Sequence, residues 1–505
     1  MMRSYLPYAS LFALQIAMHL SDAAAAKTAF LLLACLFAAQ APKFGIFAVL
    51  ISLPFHGLKI GAIPAPFPAV VLTAAFAGTV IRRVALLRLD AARAREPGSS
   101  LANFLSVSLI LCLGLINLYR DQSPDRIGHL LLFCIAVSYC FVIYDYMASG
   151  RVDTFHLMSV LAIATVLAGV VEVYLGGYVG SARRLAVAGN IRALANTCGF
   201  VCVGFAGYLL FASRPWQRPR LGSAQRGKPW LLPLVQLACV GTLLLATLSR
   251  GVIVAVLAAL VSAGLVLLFR VLHKRARLTG NLFLGAVTLA LGAGVFLSGE
   301  YGDRLFSRLR EFQDGIEVRA ELWDAGVGAM TPTQIVFGSG IASYRELASL
   351  AGYDMYAHSV FIDTFTSFGL IGLVALGYLL TRNLLAAYAH SDLLSTALLS
   401  FLVYSHLTHG AINSVTFLVF LAITCGGVSR LATVQASPCR QLRNRQPQRR
   451  RQINRLKTVR GAGGRRQPVS TGTGRPRVNT WKAAPASSLR PGWRPPQSGT
   501  LSEVS

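Results

Sequence analysis

The feature that most constrains this chain is a series of unbroken apolar runs, each about as long as a bilayer is thick. Residues 101–119, 154–178 and 251–272 are three of them. A helix rises ~1.5 Å per residue, so crossing a hydrocarbon core of ~30 Å takes roughly 20 apolar residues. Lipid offers the backbone no hydrogen bonds, so each run must be a helix or a strand of a closed barrel. Barrel strands alternate apolar and polar residues over ~10 positions. These runs do not alternate, which leaves helices. Composition agrees: only 13% of the residues are charged and mean hydropathy is +0.56, where a soluble domain carries ~25% charged residues.

The expectation is an all-α, polytopic transmembrane bundle of about 12–14 spans with one long periplasmic loop. Helices are expected near 4–21, 24–41, 44–61, 63–81, 101–119, 127–148, 154–178, 193–213, 230–248, 251–272, 281–298, 358–380, 394–411 and 414–431. The first begins after Arg3 and imitates a signal peptide, but with so many spans following it reads as an uncleaved helix. Four regions follow: N-terminal membrane helices (1–298), an outer loop (299–357), C-terminal membrane helices (358–431) and a basic tail (432–505).

The net charge of +28 invites a nucleic-acid reading. The placement of the charges argues against one. The tail from Leu431 onward supplies 16 Lys or Arg against the single acid Glu503. It is rich in Arg, Gln, Pro, Gly and Ser, cannot bury a core, and suits anionic lipid headgroups. The other basic clusters, 82–95, 214–228 and 274–277, fall between spans on one side, which marks that side as cytoplasmic. No nucleic-acid partner is expected; membrane lipids are. Eight of the nine cysteines lie in apolar runs and read as small buried hydrophobes, not disulfides or metal ligands.

The opposite side receives segments 120–126, 179–192 and 249–250 and the long loop 299–357. Four features collect there. Ser249-Arg250-Gly251 joins two apolar runs with almost no loop, so Arg250 stands at the membrane edge. Arg183-Arg184 precedes Asn196. Arg319 lies four residues before Trp323 on an amphipathic segment, 317–330, and a second such segment spans 343–350. Ala357-His358-Ser359 closes the loop. Singly, each arginine reads as a solvated charge or an anchor, and a histidine at a helix entrance as structural. Together they suit a phosphate group, which the planar guanidinium matches best. His406 and His409, at i, i+3 on a later span, read as packing between helices.

These residues resemble the bacterial O-antigen ligase and polymerase superfamily. The resemblance rests on Ser249-Arg250-Gly251, Arg319 to Trp323, Pro332, Gly338-Ser339-Gly340, Ala357-His358-Ser359 and Gly369-Leu370-Ile371-Gly372, with Arg184 and Asn196 upstream. It covers roughly residues 180–380. The chain departs from the pattern where Ser359 replaces a frequent Asn, where Ser367 replaces a common acid, and in its tail. The resemblance implies a GT-C-like glycosyltransferase that needs no metal or other cofactor. The donor would be an undecaprenyl-diphosphate-linked glycan, and the acceptor hydroxyl, on lipid A core or a growing glycan, would be met at the periplasmic face of the inner membrane. It further implies that Arg184, Arg250 and Arg319 hold the diphosphate. His358 would accept the acceptor's proton or orient its hydroxyl. A transporter or flippase of lipid-linked oligosaccharide is the rival reading. Transporters tend to show internal repeats and midplane polar groups. Here no repeat is visible, and the intramembrane acids Glu172 and Asp363 lie near the outer ends of their spans.

Overall fold

In the computed structural model, residues 6–21, 24–56, 58, 65–87, 108–112, 114–116, 124–179, 184–187, 190–211, 231–272, 307, 312–350, 352–353, 355–390, 392–407 and 414–431 are described. The chain is an all-α polytopic membrane protein. Its membrane helices are α1 (Leu6–Ser21), α2 (Ala24–Gln40), α3 (Pro42–Ser52), α4 (Phe67–Leu87), α5 (Pro124–Ala148), α6 (Thr154–Tyr174), α7 (Ile191–Phe211), α8 (Leu231–Ala246) and α9 (Arg250–Leu272). The outer loop then carries α10 (Phe312–Gly328), α11 (Pro332–Phe337) and α12 (Tyr344–Leu350). Three more apolar helices complete the order: α13 (Val360–Ala389), α14 (Leu393–Leu407) and α15 (Val415–Leu431). A two-residue ribbon, β1 (Tyr178–Val179) with β2 (Arg184–Leu185), lies between α6 and α7.

Among the described residues, six helices have the length and apolarity to cross a membrane, and five shorter apolar helices accompany them. Helix α9 explains what the bundle faces. Leu257, Val261, Leu265 and Leu268 form an exposed stripe at helical spacing. Water would not tolerate so wide an apolar face; acyl chains do. Most expected helices recur within a few residues. The one expected at 44–61 ends at Ser52, followed by a 3-10 turn Leu53–Phe55 that contains Pro54. Proline cannot donate the next helical hydrogen bond, so the span stops there. The helices expected at 101–119, in the main, and at 281–298, together with the tail, lie outside the described residues.

Long-range contacts tie connecting segments to one another. Arg126 at the start of α5 reaches Ser339 and Glu346 of the outer loop. At the other end of the bundle Arg430 meets Asp153 at 3.1 Å, and Tyr144 meets Ser429 at 2.6 Å.

The outer loop is built from its own small core. Leu322, Tyr344, Ala348 and Ala357 are buried together, with Ile362 against them. Tyr344 donates to the Leu322 carbonyl, joining α12 to α10. Helix α11 was not anticipated. It rests on a capping box in which Thr331 and Gln334 exchange backbone and side-chain hydrogen bonds, with Pro332 as its first residue.

The loop is bolted to α13 by its glycines. Gly369 breaks α13 with φ 69° and ψ −168°. Such a break cannot keep the helical bonds that run through it, and a buried carbonyl needs another donor. The outer loop supplies it: Ser339 N donates to Thr366 O at 2.7 Å, and Gly340 N to Ser367 O at 3.1 Å. A Cβ at Gly369 would strike the Val336 carbonyl, and one at Gly338 would strike Ser367. The Gly-Ser-Gly and Gly-Leu-Ile-Gly motifs are thus two halves of one backbone crossing.

Candidate active site

Three helix starts converge on the end of the outer loop. Helix α7 begins with Ile191-Arg192, capped by Asn190, whose Oδ1 accepts from Ala193 N at 3.0 Å. Helix α9 begins at Arg250 itself. Helix α13 begins just after His358, capped by Ser359, whose Oγ accepts from Ile362 N. Serine therefore retains the capping role that asparagine would fill at this position.

The fourth element is α10, which presents Arg319 and Trp323 one turn apart on the same face. Trp323 Nε1 donates to Ala357 O at 2.6 Å and so anchors the residue before His358. Held by Trp323 on one side and by the Ser359 cap on the other, His358 takes φ 54°. Leu248, two residues before Arg250, has φ 48°. Left-handed backbone is uncommon for residues other than glycine and costs on the order of 1–3 kcal/mol. Among the described residues only one further non-glycine, Ala342, adopts it. Two of the three strained positions therefore flank or form the candidate site, where strain is commonly stored.

Positive charges act on both His358 and Arg319, and the first turn of α13 adds the buried carboxylate of Asp363. Arg192 Nη1 lies 2.8 Å from His358 Nδ1. Desolvation, then Arg192 and Arg319, push the His358 imidazole down to about 4, so it is neutral at physiological pH. Partial burial and the like charges of Arg192 and Arg250 lower Arg319 from its ordinary value. A cation at a helix N-terminus opposes the helix dipole, and neither α7 nor α9 has an acid in its first turn. Arginines at converging helix starts make a site for an anion, with backbone N–H groups and fixed charges aimed the same way.

Of the residues singled out from sequence, the structure brings Arg250, Arg319 and His358 together. Arg184 lies on β2 opposite Val179, and its side chain is outside the described residues. The arginine at His358 is Arg192, which sequence reasoning missed. Asn196 does not open α7; it lies buried within the helix, more than a turn past the Asn190 cap. An asparagine cap followed two residues later by arginine was the available signal. Glu172 pairs with His19 at 2.8 Å between α6 and α1. His406 is buried, with its Nδ1 2.8 Å from Ser405 Oγ and its ring against Phe417. Among the described residues, no three His, Cys, Asp or Glu side chains group as a metal site would require.

Residues 235–377 match the family model described as O-antigen ligase. That match supports the chain's membership of the O-antigen ligase and polymerase superfamily. The segment runs from α8 into α13 and contains Arg250, Arg319 and His358, while Arg192 lies upstream of it. It covers less than a third of the 505 residues. A comparison with curated proteins gives no match. Family and fold together support a multi-pass membrane protein with an O-antigen ligase type of function, a glycosyltransferase-like activity.

Proposed function

We propose that this chain is a metal-independent, inverting glycosyltransferase of the bacterial inner membrane. It transfers or polymerises a glycan from an undecaprenyl-diphosphate carrier onto an acceptor hydroxyl at the periplasmic face. The observation that carries this reading is the meeting of Arg192, Arg250 and Arg319 beside His358 at three helix starts. A lipid diphosphate is already a good leaving group. What the protein must add is charge stabilisation as the sugar–oxygen bond breaks, which preorganised arginines provide in a partly desolvated site. Three fixed positive charges take the part a divalent cation plays elsewhere, with a fork geometry suited to phosphate oxygens. Attack from the face opposite the diphosphate inverts the anomeric carbon. His358, beside the arginines, faces the reacting centre. Arg184, on the ribbon between α6 and α7, is assigned with Arg250 and Arg319 to the diphosphate. The membrane helices within 1–298 and 358–431 are assigned to hold the lipid-linked donor, the loop within 299–357 contributes Arg319, and lipid A core or a growing glycan supplies the hydroxyl.

The test uses purified full-length protein in detergent with undecaprenyl-diphosphate glycan, candidate acceptors and a chelator. Detergent abolishes compartments, so transport has no readout while transfer leaves a new glycosidic bond. The expected result is product formation without added metal. No product with any acceptor, together with flipping of the lipid-linked glycan in liposomes, would replace this reading with the transporter.

A further inference from the structure

We propose that His56 is a positioning residue for the arginine site: it holds the Asn190 cap of α7 and so fixes where Arg192 stands. The inference rests on the glycosyltransferase reading and extends the machinery to the N-terminal helices, far upstream of the matched segment 235–377.

Donor inventory fixes the direction of the contact. Asn190 Oδ1 accepts from Ala193 N at 3.0 Å, as a cap must. The Asn190 atom 3.3 Å from His56 Nδ1 is the amide Nδ2, which can only donate. His56 Nδ1 is therefore the acceptor and bears no proton. Burial lowers the His56 pKa, which favours the same neutral form. Asn190 N donates in turn to Val187 O at 2.9 Å. One asparagine thus joins the chain after β2, the start of α7 and the N-terminal helices.

His56 reaches this cap because α3 ends early. The 3-10 turn Leu53–Phe55 leaves the course of α3 and delivers His56 directly after it. The turn is itself held. The Phe55 ring packs edge-on against His19, with centroids 5.0 Å apart, and His19 Nε2 pairs with Glu172 Oε1 at 2.8 Å. Glu172 lies near the end of α6, and a Cβ at Gly177 would strike its carboxylate. Gly177 N donates to Glu172 O at 2.7 Å, and Gly177 O accepts from Ala186 N at 3.1 Å. His19 therefore grips the α6 end of the β1–β2 ribbon, and His56 grips the α7 end.

These are polar contacts in an apolar bundle. Apolar packing tolerates several arrangements of similar energy, whereas a buried hydrogen bond is satisfied in one. Where the cap stands decides where Arg192 stands, two residues on. Arg192 lies close enough to Arg319 to lower its pKa. Like charges left to themselves relax by moving apart. A fixed cap resists that relaxation, so less of the energy of diphosphate binding is spent on ordering the arginine.

The experiment compares the parent, His56→Leu and His56→Asn as purified full-length chains. It measures the Kd for undecaprenyl diphosphate, KM and kcat for the lipid-linked glycan, and Tm, with every assay run well below the Tm of the variant. Leucine keeps bulk and removes the acceptor. Asparagine sets an acceptor oxygen near where Nδ1 stood. A neutral hydrogen bond is worth a factor of about two to ten in an equilibrium, so His56→Leu should bind undecaprenyl diphosphate about threefold to tenfold more weakly. KM should rise in step while kcat stays within about twofold, the pattern of lost ground-state binding. His56→Asn should recover most of the affinity. Should His56→Leu fail to fold, His56→Phe, of similar shape and without an acceptor, takes its place with the same expectation.

The second arm passes through Asn190. In Asn190→Ala the cap is already gone, so adding His56→Leu should weaken binding no further. A merely structural role predicts a lower Tm with parental Kd and KM in the folded protein. Parental binding by His56→Leu, or a further loss of the same size on top of Asn190→Ala, overturns the proposal. Failure of the parent itself to bind undecaprenyl diphosphate or form product would instead break the underlying glycosyltransferase reading.

Discussion

Arg126 and Arg192 stand at comparable places and do opposite things. Each lies in the first turn of a membrane helix, α5 or α7, and each reaches across to the outer loop or its end. Arg126 meets the Ser339 carbonyl and the Glu346 carboxylate, two acceptors that satisfy a cation. Arg192 meets a histidine nitrogen in a neighbourhood where the charges acting on Arg319 and His358 have its own sign. The first arrangement lowers the energy of the resting protein. The second keeps guanidinium groups of like charge beside one histidine, an arrangement that suits an anionic ligand. The sign of an arginine's surroundings, rather than its exposure, separates a clamp from a binding group.

The comparison breaks most sharply at Arg250. Arg250→Ala should reduce transfer by roughly 10²–10³-fold, about 2.7–4 kcal/mol of lost charge stabilisation, with thermal stability unchanged. Arg250→Lys should recover only part of it, because a point charge lacks the bidentate fork. Steady-state transfer assays beside a thermal-shift scan check both; a stable Ala variant with parental rates would remove Arg250 from the site.

The backbone crossing comes next. Gly369→Ala places a methyl group against the Val336 carbonyl at a left-handed position. Strain and overpacking together should cost about 2 kcal/mol of stability. Tm should fall by several degrees, and transfer should fall with it instead of independently.

Glu346→Gln tests the clamp. Its carboxylate is largely exposed, so solvent screening keeps the loss below about 1 kcal/mol. Transfer should stay within two- to threefold. A loss as large as that of Arg250→Ala would show that Arg126 and Glu346 also serve chemistry and that the comparison is false. Smallest of all, removing residues 440–505 should leave insertion and transfer intact, since that segment has no core-forming pattern; lost transfer at normal protein levels would place the tail in the machinery.

The membrane helices were legible because lipid imposes one simple rule on backbone and composition. The ordered motifs from Arg250 to Gly372 were legible because each has a distinctive residue. What escaped was tertiary. Nothing in Gly338-Ser339-Gly340 announces that its partner is Gly369, since a backbone crossing leaves no mark beyond small residues in both strands of the chain. The left-handed turns at Leu248 and His358 were equally silent, because residues that bear side chains there carry no compositional warning. Arg192 was passed over for Arg184 because the helix was expected to begin at residue 193, just past Arg192, where the structure begins it at Ile191 behind the Asn190 cap.

The bolt between the outer loop and α13 also dictates an order of assembly. Ser339 and Gly340 find their acceptors at Thr366 and Ser367, nearly thirty residues further along the chain. During synthesis the loop emerges first, and its acceptors arrive only when the following helix has been made and has entered the bilayer. Until then α11 has a capping box but nothing to rest on, and Ser359 has no helix to cap. The site is therefore finished late, after the greater part of the membrane bundle is already in place, and an unfinished chain carries its arginines without the geometry that would let them act.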